Sequence, residues 1–235
     1  MEVWILVNNR AGRQHARENG EQVRRVFALG GARARVAYTD TVEEGAAFLQ
    51  QAAEAQPDLL VCCGGDGTLS QALNVLQQLD AKLPLGYVPM GTTNDFAASL
   101  GLPKEPAKAA EQILHGQPRL LDLGRFGERE FLYVASFGAF TQSSYKAAPQ
   151  VKAVLGHLAY VLESAKELPF LRACSLQVDT GDALYEGEYL FGAVSNTLSV
   201  GGVLKLDPQA VHLDDGLLEL TLVRMPKNPV ELGQA

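Results

Sequence analysis

The sequence predicts an α/β domain built on a parallel sheet, followed by an antiparallel β domain of sandwich type. Three observations carry that expectation. Short apolar runs alternate with helix-period stretches as far as His115. A glycine-rich turn, Gly64-Gly65-Asp66-Gly67-Thr68, links one such run to a helix. Beyond Leu120 the pattern changes to the period-two alternation of half-buried strands.

Val3–Val7 is the first strand, and helical spacing runs from Gln14 to Leu29. Arg33–Tyr38 is the second strand, and Thr41-Val42-Glu43-Glu44 is a capping box opening a helix to Ala55. Leu59–Cys63 is the third strand, and its helix runs from Thr68 to Leu79 with Leu69, Leu73 and Leu76 on one face. Leu85–Val88 is the fourth strand, Asn94–Leu100 a short helix, and Lys104–His115 a helix closed by Gly116. This rhythm implies a Rossmann-like parallel sheet with helices on both faces. Strands are expected next at Phe131–Ser136, Ser175–Val178, Tyr185–Val194 and Leu217–Val223. One amphipathic helix interrupts them, with Val151, Val154, Leu155, Leu158, Val161, Leu162, Ala165 and Leu168 on its apolar face, a stripe that reads as core packing. The domains are expected over residues 1–120 and 121–235, with the boundary between 118 and 125.

Composition narrows the function. Hydrophobic content of 47% and charged content of 20% are those of an ordinary globule. A net charge of −7 argues against broad nucleic-acid binding, and the arginines at 10, 13, 17, 24 and 25 read as a solvated helix face. No apolar run reaches the ~18 residues of a membrane span. Met1 opens directly on a strand without the basic segment of a signal peptide. Cys62, Cys63 and Cys174 suggest buried free thiols, and the expected location is cytoplasmic.

The glycine turn carries the chemistry. Glycines let backbone N–H groups converge, and the following helix adds partial positive charge, so the place suits phosphate. Loops after the other strands join it: Asn8-Asn9-Arg10-Ala11-Gly12, Thr39-Asp40, and Pro89-Met90-Gly91-Thr92-Thr93-Asn94-Asp95-Phe96. In a parallel sheet all emerge at the strands' carboxyl ends, where ligands bind. Asp66 and Asp95 beside a polyphosphate imply a divalent cation, magnesium. Bland readings stand beside these. Thr68 and Gln71 match a capping box, Asn94 an N-cap, Asp95 a favourable first-turn charge, and Asp214-Asp215-Gly216 a hairpin turn.

The two long motifs, Gly64–Thr68 and Pro89–Phe96, resemble those of the diacylglycerol kinase catalytic domain family, soluble bacterial lipid kinases above all, with sphingosine kinase-like relatives. Asn8–Gly12, Leu121-Asp122-Leu123-Gly124 and Val211–Leu217 match lesser motifs, so the likeness spans the chain. It implies ATP held by Asn8, Asn9, Arg10, Ala11, Gly12, Thr39, Gly65, Asp66, Gly67, Thr68, Leu69, Ser70, Gln71 and Thr92. It implies a structural magnesium ion at Asp215 and the carbonyls of His212 and Leu217, joined through water to Asp66, Asp95 and Asp122.

The implied reaction is ATP- and magnesium-dependent phosphorylation of a lipid hydroxyl, diacylglycerol to phosphatidic acid. The enzyme would meet its lipid by transient peripheral contact with the membrane, and a homodimer through the second domains is an expectation. Departures accompany the likeness. Asn9 replaces a usual proline, which is expected only to soften a turn, and Gln71 a common glutamate. The family's terminal Asp-Gly-Glu base finds no match, so the second domain reads as truncated, and Asp66 is the weak stand-in for the catalytic base. The alternatives are an NAD kinase-like phosphotransferase, whose fold and Gly-Gly-Asp-Gly turn are similar, or a catalytically incomplete nucleotide-binding protein.

Overall fold

The computed structural model describes residues 1–11, 15–138, 173–200 and 204–225. The amphipathic helix expected over 151–168, Gly12 and the segment at 229–233 lie outside them. The chain divides into two compact units, Met1–Tyr133 and Val134–Ala235.

The first unit alternates strand and helix: β1 (Glu2–Asn8), α1 (Ala16–Leu29), β2 (Arg33–Thr39), α2 (Val42–Ala55), β3 (Leu59–Gly64), α3 (Asp66–Gln78), β4 (Leu85–Pro89), α4 (Asp95–Ser99) and α5 (Pro106–His115). The four strands form one parallel sheet in the order β2-β1-β3-β4. Side chains alternate across it, and each face is apolar. Val3, Ile5 and Val7 pack with Val23 and Phe27 of α1 and with Ala109 and Ala110 of α5. Trp4 and Leu6 pack on the opposite side with Phe48 and Leu49 of α2 and Leu69, Ala72 and Leu76 of α3. Cys62 and Cys63 are fully buried on opposite faces, and burial pushes the Cys62 thiol up to about 12. Both are inert packing residues.

Among the described helices, α2 starts at a side-chain cap. Thr41 Oγ1 accepts from the Glu44 N–H at 3.2 Å while Glu44 reaches back to the Thr41 N–H, so the expected box opens α2. The second box does not form. Helix α3 starts at Asp66 with Gly65 as its N-cap, which puts Thr68 inside the first turn and frees its hydroxyl.

Two short strands, β5 (Gly124–Phe126) and β6 (Arg129–Phe131), make a hairpin whose turn uses Gly127 at φ +62°. Asn74 of α3 clamps it, accepting from the Glu130 N–H at 3.1 Å and donating to the Glu130 carbonyl at 2.8 Å. The strand expected at Phe131–Ser136 is therefore divided. Phe131 turns its ring over Gly124 in the hairpin, and pairing resumes only at Val134.

The second unit holds an antiparallel sheet around the long strand β9 (Leu184–Ser195). Strand β7 (Val134–Gly138) and β12 (Glu219–Arg224) pair with its second half, and β8 (Cys174–Asp179) with its first. A small ladder joins β10 (Ser199–Val200) to β11 (Leu204–Lys205). Strand β12 starts two residues later than the alternation implies. Gly216 sits at φ +81° and the Leu217 N–H is taken by Asp215 Oδ1 at 2.9 Å, so a turn occupies those positions.

Candidate active site

Strand order fixes where a ligand can enter. From β1 the chain moves first to one side, β2, then to the other, β3, so the sheet's switch point lies between β1 and β3. Register aligns the carboxyl ends there, with Asn8 opposite Thr39, Val7 opposite Cys63 and Gly64 opposite Pro89. Asn8 bridges the gap. Its Nδ2 donates to Thr68 Oγ1 at 2.8 Å and its Oδ1 accepts from the Arg10 N–H at 2.9 Å.

A cavity opens beside this bridge, walled by Asn8, Arg10, Thr39, Thr68 and Gln71 together with Leu6, Asp40, Thr41, Val42, Gly45, Leu49 and Ala72. Gln71 closes the top by donating to the Val42 carbonyl at 3.0 Å, a bond that a glutamate could not donate. Asn9 lies just outside, and its N–H donates to the Thr39 carbonyl at 2.9 Å. Proline there would lack that donor, so Asn9 extends the β1–β2 pairing instead of merely softening a turn.

The start of α3 forms the cradle. Gly65, its N-cap, is extended and supplies no side-chain cap. A Cβ on Gly67 would meet nothing within 4 Å, whereas one on Gly91 would lie 2.7 Å from the Gly65 Cα. The two loops thus abut backbone to backbone and leave the helix's first turn open. That observation fits a polyphosphate, held by the N–H groups of Gly65–Thr68. Leu69 is 3% exposed in the core, so only its backbone could face a ligand. Ser70 is half-buried, and its carbonyl accepts from Asn74 at 2.8 Å. Ala11 is buried, and Thr92 is exposed on the β4 loop.

The acids are held firmly. Asp66 Oδ2 accepts from the Asp95 N–H at 3.0 Å and Oδ1 from the Tyr87 hydroxyl at 3.2 Å. Burial raises the Asp66 carboxyl above the usual range, opposed by the Asp95 N–H, the Tyr87 hydroxyl and the Phe96 N–H. Asp95, 5% exposed, accepts from the Tyr133 hydroxyl at 3.0 Å. Asn94 occupies the N-cap position of α4 at φ +52° and does not cap. Its amide pairs both ways with the Gly91 backbone, at 2.9 Å each, and holds the loop shut. Asp122 is half-buried in the segment before β5.

In the second unit, Asp215, His212 and Leu217 lie on one exposed turn, while Val211 and Leu213 anchor it in the interior. Asn196 Nδ2 donates to the Leu213 carbonyl at 3.1 Å. Among the described residues no three His, Cys, Asp or Glu side chains gather as a metal cluster. One observation fits a cation nonetheless: Glu219 Oε2, near Asp215, is buried without a hydrogen-bond partner. The donor set of this turn is all oxygen, the chemistry of magnesium or calcium.

Residues 2–126 match the family model described as the diacylglycerol kinase catalytic domain. The chain belongs to that family. It is 34% identical over 221 residues to the diacylglycerol kinase of Bacillus subtilis strain 168, covering 94% of this chain and 73% of that protein. The diacylglycerol kinase of Staphylococcus epidermidis strain ATCC 12228 is 34% identical over 195 residues, 83% of this chain and 61% of the relative. The chain thus spans less than two thirds of the staphylococcal protein. A crystal structure of a diacylglycerol kinase from Bacillus anthracis strain Sterne shares the fold, with a TM-score of 0.76 and 24% identity over 99% of this chain and 76% of that one.

Within that family frame, the α2 wall of the cavity is what motif reading missed. Val42, Gly45 and Leu49 recur at helical spacing after the Thr41 cap, and Leu6 alternates onto the same side of β1. Tyr87, Tyr133 and Asn74 were also unmarked, because each sits in an apolar or helical stretch where its type reads as packing.

Proposed function

We propose that this chain transfers the γ-phosphate of ATP to a lipid hydroxyl, with diacylglycerol as acceptor and phosphatidic acid as product. The open, uncapped start of α3 beside the Asn8–Thr68 bridge is the observation that carries this reading. The cavity under Gln71 would take the nucleoside end, with Thr39 and the α2 wall around it. The backbone of Gly65–Thr68 and the Thr92 loop would hold the phosphates, with Arg10 supplying positive charge at the mouth. Magnesium, when bound, supplies charge neutralisation to the transferring phosphoryl group.

The turn of His212, Asp215 and Leu217 would hold a structural magnesium ion, and Asp66, Asp95 and Asp122 would position ATP with its own magnesium. Both oxygens of Asp66 already accept hydrogen bonds, which favours a fixed charge over a proton acceptor. The base that takes the acceptor's proton is not assigned to a described residue. Peripheral contact with a membrane surface and pairing of second units belong to the same proposal.

Labelled transfer from ATP in micelles containing diacylglycerol, monoacylglycerol or sphingoid base, with NAD in parallel, tests the reading. Labelled phosphatidic acid, formed from diacylglycerol, is the expected outcome. Label in NAD alone would move the chain to NAD kinase-like chemistry, and label in neither would favour nucleotide binding without transfer.

A further inference from the structure

Glu219 opens β12 and is the cross-strand partner of Ser195, the last residue of β9. Residues directly opposite in an antiparallel pair place their side chains on the same face. Ser195 is fully buried, and its Oγ has no hydrogen-bond partner; Glu219 Oε2 is buried and equally unpartnered. Asp215, across the Gly216 turn, is near enough for the two acids to repel one another. The Glu219 carboxyl takes backbone N–H groups of Glu219 and Thr197, yet its buried Oε2, like Ser195 Oγ, is left without a hydrogen-bond partner. Buried polar groups are ordinarily satisfied, and a like-charge pair deepens the deficit. A hard divalent cation removes it, because such ions take carboxylate, carbonyl and hydroxyl oxygens alike.

We propose that Glu219 and Ser195 extend the Asp215 turn into a deeper cation site, with Glu219 adding a second carboxylate and Ser195, its cross-strand neighbour, orienting that carboxylate once the ion is bound. Glu219 acts directly or through one bound water, and Ser195 is a positioning residue in the sense that outer partners orient metal ligands. The inference rests on the reading of the Asp215 turn as a magnesium site. It adds to that turn a second negative charge, and it makes the sheet, not the turn alone, responsible for affinity.

Magnesium chloride titrated into the full chain without nucleotide or lipid, followed by heat release and by melting temperature, is the test. Glu219→Gln is expected to weaken magnesium about tenfold or more, and Ser195→Ala a few-fold, as outer-partner losses do. Asp182→Asn, in the exposed β8–β9 turn, should bind as wild type does. Metal-free Glu219→Gln should melt at or above wild type, since it removes a like charge; a packing role alone would lower it.

Unchanged magnesium binding in both Glu219→Gln and Ser195→Ala overturns the proposal, as does a wild-type chain that binds no magnesium at millimolar concentration. Should Glu219→Gln fail to fold, Glu219→Asp and Ser195→Ala carry the test with the same two readouts. Lipid phosphorylation by the wild type is scored separately. Intact magnesium binding without labelled lipid would sink the kinase reading and leave this site standing.

Discussion

The hydroxyl of Tyr87 donates to Oδ1 of Asp66 across 3.2 Å, from a ring only 5% exposed in the core between the sheet and α2–α3. The bond fixes an acid at the open start of α3 from inside the protein. Tyr87→Phe keeps the ring and deletes the donor, while the amide bonds to Asp66 remain. We expect a stability loss of about 1 kcal/mol and a fall in transfer rate of roughly tenfold, the equivalent of one such bond. ATP affinity should barely change, which fluorescent-nucleotide titration beside steady-state kinetics would reveal.

Gly67 gives a prediction of opposite signs. Its added Cβ would meet open space inside a helix, so Gly67→Ala should stabilise the nucleotide-free protein by about 0.5–1 kcal/mol. The same methyl would stand where the phosphates approach, so ATP affinity should fall. Melting curves with and without ATP measure both, and unchanged affinity would remove Gly67 from the cradle.

Asn8→Ala removes the bond to Thr68 and the bond from the Arg10 N–H together. Expected losses are about 1–2 kcal/mol of stability and a rise in the KM for ATP of about tenfold. Thr68→Ser keeps the accepting oxygen and should restore most of what Thr68→Ala loses. Denaturant midpoints and ATP titrations would separate the two effects.

Asn74→Ala should loosen the β5–β6 hairpin, because it unties both backbone groups of Glu130 from α3. The cost is about 1–3 kcal/mol. Hydrogen exchange at Glu130 should rise by more than exchange in β1 or β3, which would show local opening.

Glu21 provides a pH test in α1. Hydrogen bonds from Tyr38 and then Arg24 lower its carboxyl below the ordinary value. A depressed acid contributes stability that is present above its unfolded pKa and lost as pH falls through the folded one. Glu21→Gln should therefore cost stability at pH 7 and nothing at pH 2. The group is exposed, so the effect is small, and equal urea midpoints at pH 7 would refute it.

Much of the first unit was legible because periodicity and punctuation agree there. Thr41–Glu44, the apolar run Val3–Val7 and the glycine turn each say the same thing at a different scale. The start of α3 was misjudged by two residues because Thr68 and Gln71 copy a capping box in spelling, while Gly65 holds the cap position in space. Asn94 resembled an N-cap for a similar reason, yet its amide serves Gly91. Tyr87 could not be marked as an acid's partner from a strand that reads Leu-Gly-Tyr-Val-Pro. Its hydroxyl acquires meaning only when β4 lies beside β3 and brings Asp66 within reach.

Tyr87 also belongs to two selection regimes at once. A population drifting under pressure for thermal robustness would repack the neighbours of that ring, and each repacking would shift the oxygen that steadies Asp66. Substitutions well away from any ligand should then show epistasis with phosphate-loop changes, since residues sharing a contact do not contribute independently. Lineages that diverge in this core are expected to carry matched changes at the Asp66 loop, and chimeras that exchange β4 alone should lose turnover before they lose the fold.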